Sequence, residues 1–262
     1  MTVALTYERD GELALIGLNR PEKRNAIDDA LVEALRLAVA RATAEAKAGI
    51  IFGHGAHFSA GLDLAEHVHR TPVENVHHSR KWHAIFDTIE RAPIPYVCAL
   101  QGAVIGGGME LAAAAHIRVA DESAFFALPE GQRGIFVGGG ASVRVARLIT
   151  ATRMADMMLT GRVLAAAEAE RFNFLHYLVP KGGALAKARE LASRVAKNAP
   201  LSNYAVTNAL PRIQDLSHDD GLFLESLMAA MTQTTPEANE RLREFLEKRA
   251  APIAPPAADR KG

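Results

Sequence analysis

The stretch GGGMELAAAA, residues 106–115, places three consecutive glycines at the start of an alanine-rich helix. Three glycines at a helix start lose much chain entropy, so they need a reason, and one reason is close approach of the backbone to an anion or a developing oxyanion. Glu110 follows Gly107 by three residues and therefore lies on the same helix face, one turn further in. The stretch predicts an oxyanion site with a carboxylate beside it. The alternative is that Glu110 only complements the helix dipole while the glycines permit tight packing.

Short strands, loops and helices alternate around this stretch as far as Pro180, which predicts an α/β fold with crossover connections. Two apolar runs separated by Asp10-Gly11 predict an N-terminal hairpin. Helical spacing predicts a first long helix, for which Asp28 is the candidate N-cap. The predicted strands are 3–7, 13–18, 50–52, 96–100 and 117–120, and the predicted helices are 28–46, 79–89 and 106–116.

From Ala184 onward the patterns are helical only, at 184–197, 201–210, 218–231 and 236–249. The sequence therefore predicts a core at 1–199 that carries the active site and a C-terminal helical region at 200–250. Residues 251–262 contain three prolines and end in a charged cluster, which is typical of a mobile tail.

The composition is that of an ordinary soluble protein, with 49% hydrophobic and 23% charged residues in a chain of 262. Thirty basic residues balance thirty acidic ones, so no bulk positive field favours nucleic acid or an anionic membrane. A single cysteine, Cys98, excludes an internal disulfide and fits a reducing compartment. The N-terminus lacks a signal-peptide pattern, and no apolar run approaches membrane-spanning length, so we expect a cytoplasmic protein.

Two further segments carry candidate chemistry. FSAGLD, residues 58–63, is a glycine-containing loop after a strand, where small side chains let backbone N–H groups approach a ligand. ALPE, residues 127–130, ends in Glu130 at a strand-to-loop transition. The alternatives are a plain turn for the first segment and an exposed turn acid for the second.

Together these segments resemble the crotonase (enoyl-CoA hydratase/isomerase) family over nearly the whole chain. The matching motifs, in order, are LNRPEKRNA at 18–26, FSAGLD at 58–63, GGGME at 106–110, LPE at 128–130, LTGR at 159–162 and FLEKR at 245–249. The resemblance implies a crotonase-type spiral of β-β-α units with a C-terminal α-helical trimerisation region. It also implies an enoyl-CoA hydratase that forms a homotrimer or a dimer of trimers.

The same resemblance implies roles for individual residues. The N–H groups of Ala60 and Gly107 would form the oxyanion hole for the thioester carbonyl. Glu110 would orient and deprotonate water, and Glu130 would supply the proton to C2. Because both acids are present, the resemblance favours a hydratase over an isomerase.

Coenzyme A, which is part of the substrate, would lie along the first loop. Leu62 and Leu64 would flank the adenine, Arg24 would approach the phosphates, and Lys248 would meet the 3′-phosphate, often from a neighbouring subunit. For both cations the alternative is an ordinary solvated side chain. The resemblance implies no further cofactor and no metal.

Other functions remain open within the family: a 3-enoyl-CoA to 2-enoyl-CoA isomerase, an aromatic enoyl-CoA hydratase-lyase, and a non-catalytic coenzyme A-binding member. A dinucleotide oxidoreductase is excluded because Leu111 stands where the third glycine of its motif is required. The histidine-rich segment 67–83 has no metal-ligand spacing and is interpreted as a solvated, mobile cover over the acyl pocket. His116 is interpreted as a dipole partner at a helix C-terminus.

Overall fold

The computed structural model describes residues 3–63, 70–247 and 249. The chain divides into two compact units, Met1–Asn208 and Ala209–Gly262. The unit boundary therefore follows Asn208, whereas the boundary predicted from sequence follows residue 199. The tail predicted at 251–262 lies outside the described residues.

The first unit holds all the strands of the described chain together with most of its helices. Its strands are β1 Leu5–Asp10, β2 Leu13–Leu18, β3 Ala48–Gly53, β4 Tyr96–Leu100, β5 Ala103–Ile105, β6 Ile117–Asp121, β7 Phe125–Ala127, β8 Leu164–Ala165 and β9 Tyr177–Val179. Its helices are α1 Asp29–Glu45, α2 Pro72–Glu90, α3 Gly107–Ala114, α4 Ala141–Ile149, α5 Ala151–Thr160, α6 Ala166–Arg171, α7 Ala184–Ala196 and α8 Pro200–Tyr204. Short 3₁₀ turns occur at Pro21–Lys23 and Gly131–Arg133, and a π-helical turn follows α8 at Ala205–Ala209.

The larger sheet has six strands in the order β1-β2-β3-β4-β6-β9. The predicted hairpin is confirmed, because β1 and β2 pair antiparallel. All the other neighbours pair parallel, and the register places Leu15 beside Ile50 and Ile50 beside Val97. Parallel neighbours require crossover connections, which the helices between these strands supply.

Both faces of this sheet are buried. On one face, Leu15, Ile50 and Val97 pack with the apolar residues of α7 in one core cluster. On the other face, Ile16 and Ile51 join a larger cluster with residues of α1, α2 and α3. A sheet covered on both sides needs continuous apolar strands, which explains the unbroken run in β2.

The smaller sheet positions the stretch with which the sequence analysis began. It has three strands in the order β5-β7-β8, with β5 and β7 parallel. The chain leaves β5 at Ile105 and enters α3 at Gly107, whereas β7 ends at Ala127, shortly before Glu130. Parallel strands present their carboxyl ends at one edge, so the starts of both glutamate-bearing segments lie side by side.

The described part of the second unit contains three helices, α9 Leu210–Ile213, α10 His218–Gln233 and α11 Pro236–Leu246. Ser217 and Thr235 cap α10 and α11 by accepting backbone N–H groups. Several large apolar side chains of this unit are exposed, namely Leu222, Phe223, Leu227, Met231, Leu242, Phe245 and Leu246. Within the described ranges, no helix combines the length and the apolarity needed to cross a bilayer.

Most helix bounds lie within three residues of the predicted ones, and α2 shows the largest shift of a helix start. The prediction of Asp28 as the N-cap of α1 is confirmed, because its carboxylate accepts the Leu31 N–H at 2.7 Å. Helix α2 begins at Pro72, seven residues before the predicted start at 79, with a capping box formed by Thr71 and Glu74. Helix α3 ends at Ala114, two residues before the end predicted at about His116.

His116 is also not a dipole partner. Its Nδ1 accepts the Tyr96 N–H at 2.9 Å, and its Nε2 lies 3.2 Å from the Glu90 carbonyl. Burial lowers the pKa of His116 to about 4, so the ring is neutral at physiological pH. A neutral ring that links β4 to the end of α2 replaces the charge interaction expected from the sequence.

Candidate active site

Asn25 fixes the loop at 53–63 that forms one wall of the site. It is fully buried, with a left-handed φ of 55°. Its Oδ1 accepts the Arg20 N–H at 2.8 Å, while its Nδ2 donates to the carbonyls of His54 and His57 at 2.9 and 2.8 Å. One amide thus satisfies three backbone groups that would otherwise lack partners.

An ion-pair cluster ties the end of this loop to the N-terminal segment. Arg20 contacts Asp28 at 2.7 Å and Asp63 at 2.8 Å, and Lys23 contacts Asp63 at 3.0 Å. Both acids and Arg20 are largely buried, which makes the mutual charge compensation necessary. This cluster was not predicted from the sequence, although Arg20, Lys23 and Asp63 lie within two of the quoted motifs.

Ala60 does not present a free amide to the site. Its N–H donates to the Arg24 carbonyl at 2.9 Å. The prediction that Ala60 supplies an oxyanion-hole donor is therefore corrected, because its single hydrogen is already engaged in a backbone bond.

Leu62 is the residue whose amide faces the site instead. The Ile27 N–H donates to the Gly61 carbonyl at 2.8 Å, and the Ile27 carbonyl accepts the Asp63 N–H at 2.9 Å. These two bonds engage the backbone groups on either side of Leu62. Successive backbone groups in an extended segment point to opposite sides, so the Leu62 N–H points away from Ile27. It donates to no acceptor among the described residues, and its nitrogen lies 3.5 Å from the point that a Cβ on Gly107 would occupy.

The glycines at the start of α3 allow several groups to approach one another closely. Gly106 has a φ of 51°, and a Cβ there would lie 2.7 Å from Glu130 Oε1. A Cβ on Gly108 would lie 2.7 Å from the Ser59 carbonyl oxygen. Gly107 is the first residue of α3, where the N–H has no intrahelical acceptor. Close packing and an available amide are therefore both reasons for the glycine run.

Glu110 lies in the first turn of α3 and is only 4% exposed. Its Oε1 accepts the N–H groups of Gly139 at 2.8 Å and Ala141 at 3.1 Å. Burial raises the pKa of Glu110, and these backbone bonds and the charge of Arg144 oppose that rise. The carboxylate is thus held in a fixed direction by donors that stabilise its charged form.

Glu130 follows β7 and is 8% exposed, so it is not an exposed turn acid. Its Oε2 is buried and has no hydrogen-bond partner among the described residues. Burial, and to a lesser extent the negative charge of Glu110, raises the pKa of Glu130 from 4.5 to about 7. A carboxyl with this pKa is substantially protonated at neutral pH and can donate a proton.

Both glutamates line one cavity of about 490 Å³. Gly107 and Leu62 line the same cavity, and α2 contributes a wall that includes His78, Ser79 and Trp82. His78 Nε2 lies 2.9 Å from an Asp29 carboxylate oxygen, and its ring packs against Trp82. Helix α2 therefore lines the cavity, as expected of a covering segment, but it is a capped helix with Trp82 buried rather than a solvated cover.

Of the remaining predicted site residues, the structure describes some and not others. Arg24 is exposed and caps the turn Pro21–Lys23 with a φ of 51°, and it does not line the cavity. Leu64, Lys248 and two of the clustered histidines, His67 and His69, lie outside the described residues. Within residues 3–63, 70–247 and 249, no group of three or more His, Cys, Asp or Glu could hold a metal ion. The predicted coenzyme A contacts stay predictions.

Comparison with known proteins identifies the family of the chain. The sequence model of the enoyl-CoA hydratase/isomerase family matches residues 8–254. The enoyl-CoA hydratase EchA19 of Mycobacterium tuberculosis is 31% identical over 248 residues, covering 93% of each chain. The 2,3-dehydroadipyl-CoA hydratase of Escherichia coli is 30% identical over 247 residues, covering 94% of this chain and 96% of that protein.

Solved structures show the same architecture. A protein from Rhodopseudomonas palustris described as an enoyl-CoA hydratase superposes with a TM-score of 0.92 at 53% identity, covering 94% of this chain and 95% of that one. An enoyl-CoA hydratase from Bacillus anthracis superposes with a TM-score of 0.88 at 28% identity, covering 94% of this chain and 97% of that one. The predicted α/β crotonase-type fold is confirmed.

Proposed function

Because the chain belongs to the enoyl-CoA hydratase/isomerase family, we propose that it is an enoyl-CoA hydratase, a carbon–oxygen lyase that adds water across the 2,3 double bond of an enoyl-CoA. The observation that carries the proposal is the pairing of two buried glutamates with two backbone amides around one cavity. Enoyl-CoA hydratases among its relatives support the same reaction. The steps proposed below use these residues and the substrate.

The amides of Leu62 and Gly107 bind the thioester carbonyl oxygen. Water addition at C3 moves electrons through the double bond onto this oxygen, so negative charge develops there. Fixed N–H donors stabilise such charge because they need no reorganisation during the reaction, and each contributes about 3–4 kcal/mol. Leu62 takes the role that the sequence analysis gave to Ala60, since the Ala60 N–H bonds to Arg24.

The two glutamates divide the proton transfers. Glu110 is the base that accepts a proton from water as the oxygen bonds to C3, and the Gly139 and Ala141 amides hold its charged form ready. Glu130 is the acid that supplies the proton to C2, consistent with its pKa of about 7. The two transfers together add one water, and the exchange of one proton with solvent restores both carboxyls.

The proposal extends to coenzyme A and to assembly. As the family resemblance implies, the side chains of Leu62 and Leu64 flank the adenine. Arg24 approaches the phosphates, and Lys248 meets the 3′-phosphate. The exposed apolar side chains of the second unit, such as Phe223 at 65% and Leu246 at 71% exposure, support its use in a homotrimer or a dimer of trimers. A chain of this kind would function in the cytoplasm.

A substrate panel tests the proposal. Short, long and aromatic 2-enoyl-CoAs are incubated with the enzyme, and the loss of the conjugated double bond is followed by absorbance. The 3-enoyl-CoAs are examined for isomerisation in parallel. Hydration of at least one 2-enoyl-CoA should exceed isomerisation of the matched 3-enoyl-CoA. Faster isomerisation across the panel would instead identify a 3-enoyl-CoA to 2-enoyl-CoA isomerase. Cleavage of aromatic hydration products would identify an aromatic enoyl-CoA hydratase-lyase.

A further inference from the structure

Arg144 is a buried cation in α4 whose side chain is only 7% exposed. It forms an ion pair with Asp87 and another with Glu90, the latter at 2.6 Å between Nε and Oε2. Both acids lie on α2 and are about one-third exposed. A buried guanidinium must have its charge compensated and its donors satisfied, and these two carboxylates do so from one side.

The other side of the guanidinium reaches the loop beside the active site. Arg144 Nη1 donates to the Gly139 carbonyl at 3.1 Å. The N–H of the same Gly139 donates to Glu110 Oε1 at 2.8 Å, and Ala141, three residues before Arg144, adds the second donor at 3.1 Å. A Cβ on Gly140 would collide with Arg144 Nη1, so glycine at this position leaves the space that the Arg144 guanidinium occupies.

These contacts form one continuous chain from α2 to the proposed base. The carboxylates of Asp87 and Glu90 hold the guanidinium, the guanidinium holds Gly139, and Gly139 holds Glu110. We propose that Arg144 is a positioning residue. It fixes the direction of the Glu110 carboxylate so that this group can take a proton from the water that attacks C3. This inference rests on the function proposed above.

The charges around Arg144 determine what its removal would do. Asp87 and Glu90 approach it from α2, His83 lies near it on the same helix, and Glu110 faces it from α3. The positive charge of Arg144 lowers the pKa of Glu110 against the effect of burial. Loss of that charge would therefore raise the pKa of Glu110 further, in addition to releasing Gly139.

The principal test replaces Arg144 with glutamine and with lysine. Arg144→Gln should lower kcat for hydration by about 10- to 100-fold, because misplacement of a catalytic group by about 1 Å has that effect. KM should change by less than about threefold, since the enoyl-CoA contacts remain. The acidic limb of the kcat–pH profile should move to higher pH. Arg144→Lys should keep the limb near its wild-type position but recover kcat only in part, because one ammonium cannot reproduce the planar guanidinium fork.

Two controls separate positioning from a general effect on the fold. Arg147→Gln alters an exposed arginine of the same helix and should leave kcat and the pH profile as in the wild type. Glu90→Gln removes one ion pair, keeps Arg144 and should lower kcat several-fold even if Arg144→Gln does not fold. The inference is overturned if Arg144→Gln keeps the wild-type kcat and the wild-type acidic limb. If Arg144→Gln does not fold, the same result with Glu90→Gln overturns it.

A titration independent of turnover distinguishes this inference from the proposed function. The pKa of Glu110 is followed by ¹³C NMR of labelled glutamate carboxyls, assigned with Glu110→Gln, in the wild type and in Arg144→Gln. A higher pKa in the variant supports the inference even if no enoyl-CoA is hydrated, an outcome that would refute only the function. An unchanged pKa and unchanged carboxyl shifts would show that Arg144 does not act on Glu110.

Discussion

Gly139→Ala should inactivate the enzyme by displacing Glu110. A Cβ on Gly139 would lie 2.5 Å from Glu110 Oε2 and 3.0 Å from its Cδ, whereas ordinary contacts begin at 3.4 Å. The carboxylate must therefore move by about 1 Å, a displacement that lowers the rate by about 10²-fold when it misaligns a catalytic group. Gly139 is not among the residues with positive φ, so alanine introduces no backbone strain of that kind.

The assay is steady-state hydration of the best substrate found in the panel. We expect a kcat lower by about 10²-fold with KM nearly unchanged. Thermal unfolding should stay cooperative but shift to lower temperature, because an extra methyl in a buried site costs about 1–3 kcal/mol. Gly138→Ala is the matched control, because the nearest atom to its added Cβ is Ser79 Oγ at 3.8 Å, and its loss of kcat should be less than a tenth of that for Gly139→Ala. Wild-type turnover in Gly139→Ala would refute the claim that the fixed position of Glu110 matters.

Three further predictions concern stability and coenzyme binding. Glu130→Gln should raise the free energy of unfolding at pH 8 by up to about 3 kcal/mol but have little effect near pH 4. The reason is that the pKa of the wild-type carboxyl is raised from 4.5 to about 7, so the folded wild type loses stability as pH rises through this window. Urea unfolding at both pH values checks this, and equal effects at both would contradict the raised pKa. Asn25→Ala should lower the free energy of unfolding by about 2–4 kcal/mol, since two buried carbonyls lose their donor and alanine must adopt a positive φ; a change in the urea midpoint equivalent to under 1 kcal/mol would argue against this role. Lys248→Ala should raise KM and spare kcat, with a smaller effect on dephospho-CoA thioesters, and equal effects on both coenzyme forms would remove Lys248 from the 3′-phosphate site.

Long elements with clear periodicity were predictable from the sequence. The hairpin, α1 with its Asp28 cap and the central strands appear as expected because each follows from local chemistry. The early start of α2 was also encoded locally, since Thr71-Pro72-Val73-Glu74 is a capping box with proline at the first helical position, but the histidines that follow obscured its helical pattern. Strands of two or three residues, such as β8, depend on pairing with distant neighbours and carry too little local signal.

The site was predictable to the level of the segment rather than the atom. The motifs brought Glu110, Glu130 and Gly107 together as expected, in one cavity. They could not show which amide of the loop at 58–63 is free, because that depends on the bonds made to Arg24 and Ile27 across the structure. The link through Arg144 was likewise invisible, since it joins residues that are more than fifty positions apart.

The most direct test of the two-glutamate mechanism is the kcat for hydration of the best enoyl-CoA by Glu110→Gln. Glutamine keeps the size of the side chain and an oxygen that can accept from Gly139, but it cannot take a proton from water. The account predicts a loss of about 10²–10⁴-fold in kcat, the usual contribution of a positioned base, with KM little changed. A kcat within a few-fold of the wild type would contradict the assignment of Glu110 as the base.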